Sequence, residues 1–443
     1  MGMDEQRPFD RREFSNGLVL LSAVNRRLPL VSLNAFVLAG TGHNDASQPG
    51  VASMTSRLLD EGTQRYTAQQ ISQMVEDKGS TLSTFSQQEL SGICLQLRSH
   101  DLTTGIELLG EMLSFPTFPA SRFSIEKEKV LNHLKAAEDD PQGVMANLFA
   151  GLIYAGSPLQ YPALGTHAAV EEMSADDLLG FHGKHYGPQN TVLVVVGDIE
   201  TSRLQNLVEE RLSLWQNPDF VRAPTFSLKR QKTPLLEEKV MEDKEQVHIC
   251  LGHLGISRDS PDFYPIQVMD VILGSGPGFT SRIPRKLRDQ EGLAYSTYSD
   301  LSGSAGLYPG RFLAYISTSR ENQQRALDGL LSEIQNFAAT GPTDEEVLVA
   351  QDFLTGSFVF DFETNAHVAR FLLSAELFDL GLDYPERYPH LIRKITRDKV
   401  AQVAHRHLDT VNFTTVIVGP NHAPEGRKAR RQQRNPAQER CPE

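Results

Sequence analysis

Cysteine and tryptophan are nearly absent, with three cysteines and one tryptophan in 443 residues. Cys94, Cys250 and Cys441 are odd in number and far apart, so they build neither a disulfide framework nor a C-x-x-C metal site. A reducing compartment is the simplest reading of such sparing use. No run of about 18 apolar residues exists, which excludes a membrane-spanning helix. Surplus positive charge is also lacking. A net charge of −13 leaves no electrostatic footprint for nucleic acid. The opening stretch MGMDEQRPFDRREF has no apolar segment of a secretory signal. The expectation is a cytoplasmic protein, or a periplasmic one if the start has been trimmed. No G-x-S-x-G elbow is present, and no G-x-G-x-x-G follows a strand. Those absences exclude an α/β-hydrolase serine nucleophile and a dinucleotide-binding turn.

What remains has the composition of a globular protein, 40% hydrophobic and 22% charged, over a length that calls for more than one core. Alternation predicts a strand over Leu30–Leu38, with Val31, Leu33, Ala35 and Val37 on one face and Ser32 and Asn34 on the other. Thr67 with Gln70 makes a capping box for a helix. Thr81–Leu97 reads as a strand pair, and Asp101–Leu113 has helical spacing through Leu102, Ile106, Leu109 and Met112. Ser124–Ala137 reads as a charged helix that stops before Pro141, Ala175–His185 as another helix, and Thr191–Val196 as a buried strand. Beyond Asn217 the pattern restarts. Strands are predicted at Val247–Leu251, Tyr295–Tyr298 and Arg311–Ser317, with helices at Phe263–Leu273, Ser281–Arg288, 321–339, 344–357 and 366–380.

The second half repeats the first. Met173–Asp198 lies over Ile395–Pro420 without a gap, with His185 on His407, Asn190 on Asn412 and Gly197 on Gly419. A duplicated unit at the end of each half predicts two homologous α+β domains, each a mainly antiparallel sheet backed by helices. The expected boundaries are a polar arm at 1–10, a first domain at 11–217, a Pro-punctuated linker at 218–234, a second domain at 235–423 and a basic disordered tail at 424–443.

The stretch Gly50–Thr63, GVASMTSRLLDEGT, reads as a short helix with Val51, Met54 and Leu58 on its apolar face. Ser53, Ser56 and Arg57 stand at the offsets at which H-x-x-E-H would place two histidines and a glutamate. Other histidines carry less: His182 and His185 lack a third ligand, His405 and His407 read as surface residues, and His248 and His253 as lining a polar strand face.

Four stretches resemble the pitrilysin/insulinase family of zinc metallopeptidases, which includes mitochondrial processing peptidase. They are GVASMTSRLLDEGT, the helix from Glu126 to Pro141 with its EDDP end, SPLQYPALGT at 157–166, and TSRIPRKLRDQEGLAYSTYS at 280–299. The resemblance implies duplicated domains that form half of a clamshell chamber. It also implies a zinc site at Ser53 and Arg57, a general base at Ser56 and a third ligand 76 residues further on, which is His133. The family's upstream glutamate is present as Glu126. Serine is a poor ligand, arginine is a permanent cation, and one imidazole cannot hold the metal. The expectation is therefore no metal, no cofactor and no intrinsic peptidase activity.

A second constellation is intact. Arg288 and Tyr295, in LRDQEGLAY, match the pair with which family enzymes hold the substrate carbonyl and stabilise its oxyanion. Gly274, Gly276 and Gly278 resemble in position the glycine-rich substrate loop of a non-catalytic processing-peptidase subunit; a simple turn around Pro277 is the competing reading. The resemblance thus implies a zinc-less subunit that serves a homologous zinc-bearing chain in a heterodimer, or pairs with itself, around peptide substrates. A structural or peptide-binding scaffold, like the core subunits of respiratory cytochrome reductase, is the alternative.

Overall fold

The computed structural model describes residues 9–222, 226–277 and 281–421. The first half contains β1 (Phe9–Glu13), β2 (Val19–Val24), β3 (Leu30–Val37), α1 (Val51–Arg57), α2 (Ala68–Glu76), β4 (Thr81–Ser86) and β5 (Ser91–Arg98). It continues with α3 (Leu102–Ser114), α4 (Ala120–Ala137), α5 (Pro141–Ile153), α6 (His167–Glu172), α7 (Ala175–His185), β6 (Thr191–Gly197) and α8 (Thr201–Leu212). The second half contains β7 (Leu235–Val240), β8 (Gln246–Leu254), α9 (Phe263–Asp270), β9 (Ser296–Asp300) and β10 (Arg311–Ser319). After them come α10 (Gln323–Thr340), α11 (Asp344–Ser357), α12 (Asn365–Leu377), α13 (Tyr384–Arg393), α14 (Arg397–His407) and β11 (Thr414–Gly419).

The strands form two sheets, ordered β1-β2-β6-β3-β5-β4 and β7-β11-β8-β10-β9. Apart from β1, the two orders are the same. In each sheet one pair is parallel, β2 with β6 and β7 with β11, and the other pairs are antiparallel. The repeat is therefore structural. Ser174 and Thr396 cap α7 and α14 through their hydroxyls, and Gly197 and Gly419 close β6 and β11 with φ of 149° and 153°. A residue with a Cβ is strained at such a φ, which explains the glycine in both copies.

The two halves exchange helices. The apolar face of α5 packs on the second sheet: Met145, Phe149 and Ile153 share a core with Cys250, Leu313, Val416 and Val418. In return, α12 lies across β6, β3 and β2 of the first sheet. Both faces of β3 are consequently buried, with Val31, Leu33, Ala35 and Val37 in the first-half core and Phe36 in the core shared with α12. Ser32 and Asn34, expected on the opposite polar face, are also buried, and Asn34 Nδ2 donates to Ser32 Oγ at 3.0 Å.

Several boundaries differ from expectation. Phe9 and Asp10, read as the end of a polar arm, pair with Ala23 and Ser22 as the start of β1. Pro141 opens α5 as well as closing the preceding helix, because a helix's first residue needs no N–H; Asp140 caps it through Gln142 N and Gly143 N. The linker has no regular element at 218–222 or 226–234, yet it is anchored. Phe226 stacks on Tyr308 at 4.6 Å, and Arg230 Nη2 donates to His407 O at 2.6 Å. Residues 1–8, Gly278, Cys441 and the basic tail at 424–443 lie outside the described residues.

Candidate functional site

Helix α1 starts where the chain makes its closest approach to the 164–165 turn. Gly50 has φ 99°, and a Cβ there would meet Leu164 O at 2.5 Å. The helix is shorter than the sequence suggests. It ends at Arg57, because Leu58 leaves helical φ/ψ and buries with Leu59, and Gly62 then bridges to Thr67.

Of the positions that the resemblance marks, Ser53 and Ser56 are buried inside α1. Ser56 Oγ donates to Phe85 O at 2.6 Å and so ties α1 to the edge strand β4. Arg57 reaches the other way. Its Nη1 donates to Glu126 Oε1 at 2.7 Å, and Lys129 Nζ binds the other carboxylate oxygen at 3.1 Å. Burial would raise the Glu126 pKa, but the bonds from Arg57 and Lys129 outweigh it and hold the carboxyl below its usual range. At nearby Asp60, burial together with Glu61 outweighs the attraction of Arg122 and pushes the pKa up to about 6. His133 is exposed on α4, and it lines one cleft of about 490 Å³ with Arg57, Lys129, Val130, Asn132 and Ala136. The count of 76 residues therefore does bring His133 beside Arg57.

This donor set does not suit zinc. A hydrolytic site needs three protein ligands and a water position. Here a guanidinium, a buried serine hydroxyl and one imidazole stand at those places, and the hydroxyl at the general-base position is bonded to a strand carbonyl. Among the described residues, no three His, Cys, Asp or Glu side chains lie close enough to hold a metal ion.

Arg288 and Tyr295 lie at the two ends of a pinned turn. The segment read as an ordinary helix over Ser281–Arg288 is instead a wide-turn π-helix over Pro284–Gln290, and Glu291 N donates five residues back to Lys286 O at 3.1 Å. Such π segments concentrate at functional sites. Leu293 N donates to Leu287 O at 2.8 Å, Thr318 Oγ1 to Leu293 O at 2.6 Å, and Tyr295 N to Ser317 O at 3.0 Å. These bonds fix the backbone on both sides of the pair. Arg288 Nε donates to Asp289 Oδ1 at 3.0 Å, and Tyr295 is 67% exposed. Gly274 lies in a second π turn, Val271–Ser275, pressed against β9: a Cβ there would collide with Ser299 N and Oγ. Gly276 N donates to Ser281 Oγ at 2.9 Å.

His407 and His253 lie in more enclosed places than expected, while His182 and His185 are on the predicted helix α7. His407 is half-buried and places Nε2 2.8 Å from Asp262 Oδ2, in a cluster completed by Lys399 and Arg406. His253 is enclosed by Phe312 and Phe413, and burial pushes its pKa down to about 3. His182 Nε2 lies 2.9 Å from Leu113 O, and His185 packs against His43 at 5.4 Å between ring centres. Lys129 was missed by the sequence reading. Its spacing of three from Glu126 on a helix was the available signal.

Comparison with known proteins places this scaffold. The profile described as "Insulinase (Peptidase family M16)" matches residues 20–167, and that described as "Peptidase M16 inactive domain" matches residues 172–354. The chain belongs to the M16 peptidase family. An uncharacterized zinc protease of Streptomyces coelicolor is 27% identical over 81% of this chain and 78% of its own length. The non-peptidase homolog YmxG of Helicobacter pylori is 26% identical over 89% of this chain and 90% of its own. In fold, the chain superposes on a peptidase M16 inactive domain from Pseudomonas fluorescens with a TM-score of 0.87, at 23% identity over 94% of this chain and 99% of that one. A chain of complex III2 from Candida albicans gives 0.76, at 18% identity over 93% and 95%. No helix among the described residues is long and apolar enough to cross a membrane.

Proposed function

We propose that this M16 chain is the zinc-less subunit of a two-chain metalloendopeptidase, lending Arg288 and Tyr295 to a homologous partner that carries H-x-x-E-H. Tyr295 is the observation that carries the reading: an exposed phenol on a turn whose backbone is fixed by three hydrogen bonds. In the closed complex the Arg288 guanidinium and the Tyr295 O–H bind the scissile carbonyl oxygen of an extended peptide. Both donate more strongly as that oxygen becomes negative in the transition state. The Gly274–Gly276 turn sets the height of β9 and with it the position of Tyr295. The first half contributes chamber wall and no zinc, because Arg57 already neutralises Glu126 at the ligand positions.

The test is co-expression with an H-x-x-E-H homologue. Arg288→Ala and Tyr295→Phe each lower kcat of the complex by about 10²-fold, the usual effect of losing one oxyanion donor, while the complex still assembles. Unchanged peptidase activity in both variants ends this reading. An assembled homodimer that binds peptide and never gains activity with any zinc-bearing homologue is the outcome for a structural or peptide-binding scaffold.

A further inference from the structure

A second cavity, of about 480 Å³, opens in the second half between α9, the 3-10 turn Phe358–Phe362, α12 and α13. Its size is within the range of small-molecule sites. Its lining is unlike that of the first cleft. Phe263, Phe358, Phe371, Phe378, Tyr384 and Tyr388 supply six aromatic rings. Phe371, Tyr384 and Tyr388 are buried and pack on one another at 5.6 to 6.4 Å, which fixes the walls. Phe371 and Tyr384 are stacked, at 18° between planes, and aromatic walls of this kind favour an aromatic occupant.

Its charge narrows the occupant further. The Arg258 guanidinium stands 3.7 Å above the Phe263 ring centre and 5.7 Å from that of Phe378, and Nη2 donates to Tyr384 Oη at 3.2 Å. Among the described residues no carboxylate forms an ion pair with it, nor with Arg370 on the rim. Asp361 also lines the cavity without pairing with either arginine, so the lining carries one net positive charge. A half-buried guanidinium without an anion is a cost that a negatively charged ligand removes, and its planar fork matches a carboxylate or sulfonate. The Gln267 amide lines the same cavity, and its Oε1 is buried without a partner.

We propose that this cavity binds a small planar aromatic molecule carrying one negative charge, with Arg258 holding the anionic group and the aromatic walls holding the ring. The site is independent of the Arg288/Tyr295 pair and does not rest on the peptidase reading.

The test titrates the full chain with 8-anilinonaphthalene-1-sulfonate and with N-phenyl-1-naphthylamine, which has the same rings without the sulfonate. The sulfonate saturates at one molecule per chain and is displaced by indole-3-acetate. Arg258→Met weakens sulfonate binding at least tenfold and leaves the neutral probe within twofold. Phe378→Ala weakens both probes. If near-ultraviolet circular dichroism shows Arg258→Met unfolded, Arg258→Lys, which keeps the charge and loses the planar fork, weakens sulfonate binding at least threefold and leaves the neutral probe within twofold, and equal sulfonate affinity in that folded variant also overturns the proposal. Sulfonate affinity unchanged by Arg258→Met in a folded chain, or unchanged by Phe378→Ala, overturns the proposal.

Discussion

The two halves have the same strand order, and their polar sites are opposite in kind. In the first half, every charge at the ligand positions is answered within the chain: Arg57 and Lys129 hold both oxygens of Glu126, and Ser56 is bonded to a strand carbonyl. In the second half, the backbone is pinned and the Tyr295 side chain projects outward. The lesson is that one duplicated scaffold supports either outcome. Which one occurs depends on whether the polar groups satisfy one another or are held toward solvent.

The strongest way to break this comparison is to reverse the first site. Ser53→His, Ser56→Glu, Arg57→His and His133→Glu combined restore the ligand set, so the variant takes up one zinc per chain by metal analysis, where the parent takes up none. A variant that folds and binds no zinc shows that α1 and α4 no longer hold the ligand geometry. The next effect is set by pH. Burial, and then His185, lower the His43 pKa to about 4, and both ring nitrogens lack partners. The unfolded chain therefore takes up this proton first. The stabilising contribution is complete above about pH 6.5 and is lost as pH falls toward 4, at most about 3 kcal/mol. His43→Gln removes that part of the slope in denaturant titrations at pH 7 and pH 4.5.

Gly274→Ala probes the second half. The added methyl meets Ser299 backbone, so urea denaturation gives a loss of about 2 kcal/mol, and the proposed complex with a zinc-bearing homologue is expected to lose activity as Tyr295 shifts with β9. The smallest effect is Arg57→Ala. With Lys129 still paired to Glu126 and Arg57 partly exposed, the loss is about 1 kcal/mol, measured by thermal unfolding. A much larger loss would mean that the first site is more deeply buried in its function than the second.

Much of the fold was legible locally. Alternation marked β3, helical spacing marked α3, and Thr67 with Gln70 makes the capping box that the sequence predicts. The gapless 173–198 and 395–420 match recovered α7 with β6 and α14 with β11. The clearest miss was a helix whose apolar face is completed by the other half. Helix α5 is apolar nearly all round because it lies on the other half's sheet, and Pro141 disguised its start. Helices α8 and α13 and edge strand β7 also escaped, the last because its exposed residues LLEEKV show no clean alternation. His253 and His407 were placed on polar surface because sequence spacing does not reveal which aromatic rings or carboxylates arrive from elsewhere in the chain.

By itself the sequence determined the family, the duplication and the presence of Ser53, Arg57 and His133 at the family's ligand positions and of Ser56 at its general-base position, because each of these is a matter of residue identity at fixed spacing. Tertiary structure decided the pairing of Arg57 with Glu126 and Lys129, the exchange of α5 and α12 between the halves, and the aromatic cavity around Arg258. Each of those depends on groups far apart in the chain meeting at hydrogen-bond or van der Waals distance, and only the packed fold sets such distances.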